Sequence, residues 1–197
     1  MAKVSYIRQI KDTHLLRLGI VEEGEKLAYT VSERLYSEFS GFAVGEEIDE
    51  YTLERIKSED EYYSAKKKAL SLLSYSDNNE RALVRKLCLK GIGKSTAEEV
   101  AREMVNLGYI NEERQLERII LNEVNRKLYG PKKIISSLMS KGYSPGKVKE
   151  VMTALIKSRE IDFDKAADTL VEKKLGGEYT AEQRAALLYR YGYKTLM

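Results

Sequence analysis

Apolar residues along this chain follow two rhythms. Near the start they alternate in short runs, Val4 to Ile10, His14 to Val21 and Leu27 to Val31, with Glu22-Glu23-Gly24-Glu25 before the third. Alternation puts every second side chain on one face of a strand, and an acidic stretch holding a glycine suits a turn. The pattern predicts a small β-meander. A helix from Ser32 to about Phe39 follows, Gly41 and Gly45 mark a loop, and Thr52 is placed to cap a helix leading into the rest of the chain.

Beyond that point the spacing is helical. Ala97, Val100, Ala101, Met104 and Val105 fall at i, i+3, i+4, i+7 and i+8, the stripe of a helix that buries one face. A shift of 51 residues gives Val148, Val151, Met152, Leu155 and Ile156, apolar at every place. Leu87-Cys88-Leu89-Lys90-Gly91-Ile92 returns as Leu138-Met139-Ser140-Lys141-Gly142-Tyr143, and 50 residues later as Leu188-Tyr189-Arg190-Tyr191-Gly192-Tyr193. A pattern that recurs at fixed period is the mark of a repeat protein.

Each unit reads as three helices. The first has helices over 62–74, 80–90 and 94–107, with Ser76-Asp77-Asn78 as N-caps and Gly91 as a left-handed stop. The second has helices over 112–128, from Pro131 to Lys141-Gly142, and from Ser144-Pro145 onward, both prolines standing in first turns. The third has helices over 163–175 and from Thr180 to about Tyr191, and it lacks its last helix. The expectation is a mainly α protein of tandem three-helix-bundle repeats, period about 50, elongated and curved, behind a small N-terminal β-meander and helix. Its predicted divisions are 1–60, 61–110, 111–160 and 161–197.

Charge sharpens this division. The formal net charge is +3, but residues 1–60 carry 8 Lys/Arg against 13 Asp/Glu, while residues 61–197 carry 26 against 18. An acidic head on a basic helical body points to an anionic partner. The densest run is Arg126, Lys127, Lys132, Lys133, Lys141, Lys147 and Lys149. Lys132 and Lys133 lie in the first turn of a helix, where cations oppose the dipole. A second group is Lys66, Lys67 and Lys68 with Arg81, Arg85, Lys86 and Lys90. These are the candidate partner-binding residues, and a solvated face is the alternative reading of each group.

Catalytic chemistry finds no purchase. With one cysteine, Cys88, and one histidine, His14, no internal disulfide, Cys/His metal site or Cys–His pair is expected. No cofactor is expected either. Cys88 reads as an apolar filler beside Leu87, and His14 as a surface or turn residue. Glu22-Glu23 and Glu112-Glu113 read as solvated carboxylates. Tyr109 and Tyr143, each after a glycine, read as helix-junction packing. Gly91-Ile92-Gly93-Lys94-Ser95 ends like a phosphate-binding loop, but it lacks the earlier glycine and the preceding strand, so a helix stop and a helix start are expected. No apolar run reaches membrane-spanning length and no export signal opens the chain, so a cytoplasmic monomer is expected.

The order of short segments resembles one family. Val31-Ser32-Glu33, Ala69-Leu70-Ser71-Leu72-Leu73-Ser74-Tyr75, Leu87-x-x-Lys90-Gly91, Gly108-Tyr109-Ile110-Asn111 and Gly130-Pro131-x-x-Ile134-x-x-x-Leu138-x-x-Lys141-Gly142 succeed one another as in RecX, the RecA regulator. The resemblance implies a protein that docks on the RecA–single-stranded-DNA filament. It would modulate recombinase, ATPase and co-protease activity, most often by inhibition, within homologous recombination, DNA repair and the SOS response. A rival reading is a helical repeat protein acting on naked DNA, although no arginine-rich recognition helix with Asn/Gln neighbours stands out along the chain.

Overall fold

The computed structural model describes residues 2–39 and 41–193. It opens with three strands, β1 (Ala2–Gln9), β2 (Leu15–Glu22) and β3 (Glu25–Ser32), and closes its antiparallel sheet with a two-residue β4 (Glu47–Ile48) in the order β3-β2-β1-β4. The β2–β3 turn is tight: Glu22 pairs with Glu25, and both Glu23 and Gly24 have positive φ, 51° and 87°. That geometry matches the twist of a hairpin. The meander is as expected, while β4 is too short to leave an alternating signal.

Helix α1 (Glu33–Glu38) starts on Ser32, whose hydroxyl accepts the Leu35 N–H. Helix α2 (Glu50–Tyr75) starts on Asp49 rather than Thr52; Asp49 caps the Thr52 N–H, and Thr52 is buried. Its first half covers the sheet, Leu53 and Ile56 joining Val4, Leu18, Ile20 and Val31 in one core. Its carboxylates also finish the outer edge of β3. Asp60 Oδ1 accepts the Thr30 N–H (2.6 Å) and Glu59 Oε2 accepts the Ser32 N–H (2.9 Å). With these two donors taken, the C-terminal end of the β3 edge is a poor template for another strand.

The remaining helices are α3 (Glu80–Leu89), α4 (Lys94–Asn106), α5 (Glu112–Asn125), α6 (Pro131–Ser140), α7 (Pro145–Lys157), α8 (Phe163–Leu175) and α9 (Ala181–Arg190). The chain divides into two compact units. One holds residues 1–76 and 83–104; the other holds 77–82 and 105–197. In the first, Ala65, Ala69, Leu83, Leu87, Ala97, Val100, Ala101 and Met104 are all fully buried. In the second, one core runs from Leu116 on α5 to Leu188 on α9.

The repeat is visible position by position. At an offset of 51, Ala65, Ala69, Leu83, Leu87, Val100, Ala101 and Met104 correspond to Leu116, Ile120, Ile134, Leu138, Val151, Met152 and Leu155, and every member is buried. The fifth place of the helical stripe departs from expectation in both copies alike: Val105 is 36% exposed and Ile156 is 48% exposed. The position is apolar, yet it falls at the margin of the buried face.

Within the second unit, side-chain and backbone bonds tie helix starts to helix ends. The Asn79 side chain accepts the Ala82 N–H at the start of α3 and donates to the Lys141 carbonyl (2.9 Å), at the end of α6. One repeat on, the Gly130 N–H donates to the Tyr191 carbonyl (2.8 Å) and the Lys132 N–H to the Gly192 carbonyl (3.1 Å), joining the start of α6 to the end of α9. Tyr143 and Tyr193 seal these joints. The Tyr143 hydroxyl donates to Gln115 (2.9 Å), whose amide donates to the Asn78 carbonyl; the Tyr193 hydroxyl donates directly to the Leu128 carbonyl (3.1 Å). Burial raises both phenols, that of Tyr193 to about 12.

Three sequence expectations are corrected. Cys88 is exposed rather than a core filler, as is its counterpart Met139, because both point off the face that carries Leu87 and Leu138. Tyr109 is 58% exposed, so of the two glycine-following tyrosines only Tyr143 packs a junction. The cap of α3 is Asn79, one residue past the expected trio.

Candidate partner-binding surface

Helix α5 buries Leu116, Ile120 and Val124, at steps of four, against the second unit's core. Asn111 caps its start by accepting the Arg114 N–H (2.9 Å). With that face fixed, the same spacing sends Arg114, Arg118, Asn122 and Arg126 outward, all exposed. Two arginines of α5 and its C-cap Arg126 thus share one exposed face with Asn122, on a helix that also carries Glu112, Glu113, Glu117 and Glu123. This grouping escapes a linear reading because its members are diluted by the buried face between them.

Two clefts flank this stripe, and Arg118 and Leu121 line both. One, of about 530 Å³, includes Asp77, Tyr109, Asn111 and Arg114. The other, of about 610 Å³, is lined by Arg118, Leu121, Glu123, Arg126, Lys127 and Lys141 among others. The candidates Arg126, Lys127 and Lys141 thus come together, joined by Arg118, which pairs with Asp77. Arg126 and Lys141 form no ion pair among the described residues.

Glu123 lines this second cleft and is only 2% exposed. Its Oε1 accepts the Lys127 ammonium (2.8 Å), while Oε2 has no hydrogen-bond partner among the described residues. A buried carboxylate oxygen without a donor is costly and calls for a reason.

The other candidates are arranged differently. The Lys133 ammonium lies 4.1 Å from the Tyr129 ring centre and 4.9 Å from that of Tyr191, a cation held between two aromatic faces. That gives it a local use despite the helix dipole. Lys132 and Lys149 are exposed, and Lys147 pairs with Glu112 (3.5 Å). In the first unit Lys66 pairs with Glu103 (2.6 Å), which also accepts the Tyr62 hydroxyl, and burial followed by that bond drives the Tyr62 phenol well up. Lys68 donates to the Lys90 carbonyl (3.3 Å), Lys67 and Arg85 are exposed, and Lys86 is half-buried. Arg81, exposed, belongs to the second unit beside Gly142.

The phosphate-loop look-alike is filled from within. The Gly93 N–H donates to Glu61 Oε1 (2.8 Å) and the Thr96 hydroxyl to Oε2 (2.6 Å), so a carboxylate occupies the anion position at the start of α4. Its counterpart 51 residues on, Glu112, reaches the first turn of α7 through Lys147. A larger groove of about 860 Å³ in the first unit is lined by His14, Arg17, Asp60, Lys66 and Lys67 among others. Three of its polar groups already serve the fold: Arg17 donates to the Thr30 hydroxyl, Asp60 caps β3 and Lys66 holds Glu103. Among the described residues no group of three or more His, Cys, Asp or Glu side chains is placed to hold a metal, and no helix is long and apolar enough to cross a membrane.

No protein-family model matches the chain. A regulatory protein RecX of Clostridioides difficile (strain 630) is 29% identical over 118 residues, which is 60% of this chain and 55% of that protein, so the match spans little more than half the relative's length. Among solved structures, a crystal structure of regulatory protein RecX superposes with a TM-score of 0.70 at 21% identity, over 98% of this chain and 95% of that one. The crystal structure of RecX from Lactobacillus salivarius gives a TM-score of 0.58 at 20% identity, over 68% and 90%. The match in sequence and the match in fold agree: over part of its length the chain is similar in sequence to a RecX regulatory protein, and it shares the fold of the RecX crystal structures.

Proposed function

We propose that this protein binds the RecA filament on single-stranded DNA and restrains recombinase, ATPase and co-protease activity, acting by contact and without chemistry of its own. The partner comes from the family resemblance. The observation that supports a polyanionic contact is the exposed stripe Arg114, Arg118, Asn122 and Arg126, continued by Lys127 and Lys141 around one cleft. Cations on a rigid helix lose little on docking against phosphates or acidic side chains, and they steer the approach. The test is RecA-catalysed ATP hydrolysis on single-stranded DNA with the protein titrated in, beside a pull-down on immobilised RecA. Hydrolysis should fall, and retention should require both single-stranded DNA and nucleotide. Unchanged hydrolysis together with equal retention when either is omitted would defeat the proposal.

The same stripe favours a second reading, direct contact with naked DNA, because Arg and Asn at four-residue spacing are suited to phosphates and base edges. That reading requires tight binding to duplex without RecA, weakening steeply with salt.

A further inference from the structure

The cleft beside the end of α5 combines three features. Cations stand at its rim, Arg126 and Lys141 without ion-pair partners among the described residues. Leu121 and Ile119 supply apolar wall. Glu123, 2% exposed, contributes a carboxylate whose Oε2 lacks a donor. A simple phosphate would use the rim and be repelled by the carboxylate. A guanidinium from another protein would satisfy Glu123 but meet Arg126, Lys127 and Lys141.

The ligand class that satisfies all three at once carries negative charge, a flat apolar face and a hydrogen-bond donor edge. We propose that this cleft holds one nucleotide of a single strand, its phosphate on Arg126 and Lys141, its base against Leu121 and Ile119, and its amino edge donating to Glu123 Oε2 once a side-chain rotation uncovers that enclosed oxygen. Its volume of about 610 Å³ is open to solvent on one side, room for one nucleotide laid against the wall rather than enclosed. The strand must be single, since a base inside a duplex keeps its pairing edge occupied and its faces stacked.

The donor requirement gives the site a preference. Cytosine offers an exocyclic amine to a carboxylate, whereas thymine presents two carbonyls around one N–H and sets acceptor against acceptor. This inference rests on the proposal that the α5 stripe meets the RecA filament on single-stranded DNA, and it can fail alone.

The test is fluorescence anisotropy of the full chain with labelled oligo(dC) and oligo(dT) of equal length at fixed salt. Oligo(dC) should bind about tenfold more tightly, the discrimination expected of one good base contact. Glu123→Gln should erase the preference, and Arg126→Ala should weaken both oligonucleotides equally and lower the salt slope by about one. The preference of the unaltered protein tests the idea even if Glu123→Gln folds poorly. Equal binding of the two oligonucleotides, a preference that survives Glu123→Gln, or binding of neither would overturn it. A loss in Glu123→Gln confined to DNA-free RecA would overturn it too, by assigning the cleft to protein. Filament-dependent inhibition retained alongside any of these outcomes leaves the broader function standing and removes only the nucleotide pocket.

Discussion

Glu61 shows how one side chain decides what a local motif can do. The Thr96 hydroxyl first, and then the Gly93 N–H, hold its carboxyl below the ordinary range. A lowered folded pKa means that the contact stabilises the protein above the unfolded-state pKa and is lost as pH falls through the folded value. Glu61→Gln should cost about 1 kcal/mol at pH 7, the usual size of a lost helix cap. In urea titrations the gap between the two proteins should be narrower in acid, below the ordinary carboxylate range, than at pH 7, since acid removes the carboxylate from the unmutated chain as well. A gap of equal size at both pH values would mean that charge is irrelevant to this cap. Lys133 makes a similar point for cations. Held between Tyr129 and Tyr191, it should cost about 1 kcal/mol when replaced by Ala. Lys132→Ala, at an exposed neighbour, should change the urea midpoint little.

At the scale of elements, the joints within the second unit set the tolerances. A Cβ on Gly130 would lie 2.6 Å from the Gly192 carbonyl carbon and from the Tyr193 nitrogen, both backbone atoms that cannot swing aside. At Gly142 the nearest atoms stand at 3.5 Å, and the difficulty is a φ of +97°. Gly130→Ala should therefore destabilise by about 2 kcal/mol or more through overpacking. Gly142→Ala should cost about 1 kcal/mol, as backbone strain alone does. Chemical denaturation of the two variants ranks them, and the reverse order would refute this account of the joint. Helix limits were legible from glycines, prolines and apolar spacing, since these act within a turn or two. The caps Asp49 and Asn79 were mistaken by a few residues because several neighbouring side chains could each serve, and packing selects among them.

At the scale of the molecule, the proposed restraint of RecA rests on which cations remain available. Reversing charge at Arg126 and Lys141 together should weaken inhibition of RecA-dependent ATP hydrolysis at least about tenfold, each lost contact with a desolvated anion contributing about 1 kcal/mol or more. Lys174→Glu, an exposed charge on α8, serves as control and should leave potency near that of the unaltered protein. Dose–response curves at two salt concentrations decide this. Equal losses in both variants would assign the effect to net charge rather than to the α5 cleft.

The chain's own order of residues was sufficient for its class of fold, for the period of its helices and for the resemblance to RecX. Those properties follow from spacing, and spacing survives in one dimension: a buried position in one repeat recurs at the same offset in the next. Tertiary structure alone decided which polar groups are spent and which remain. A linear string shows Lys133 and Lys141 as equals, yet one is clasped by two tyrosines and the other faces a cleft. It shows Glu123 as one more charge on a helix, and only packing reveals that it is buried with an oxygen unmet. Desolvation and hydrogen-bond partnership belong to three-dimensional neighbourhoods, and residues far apart in sequence create them.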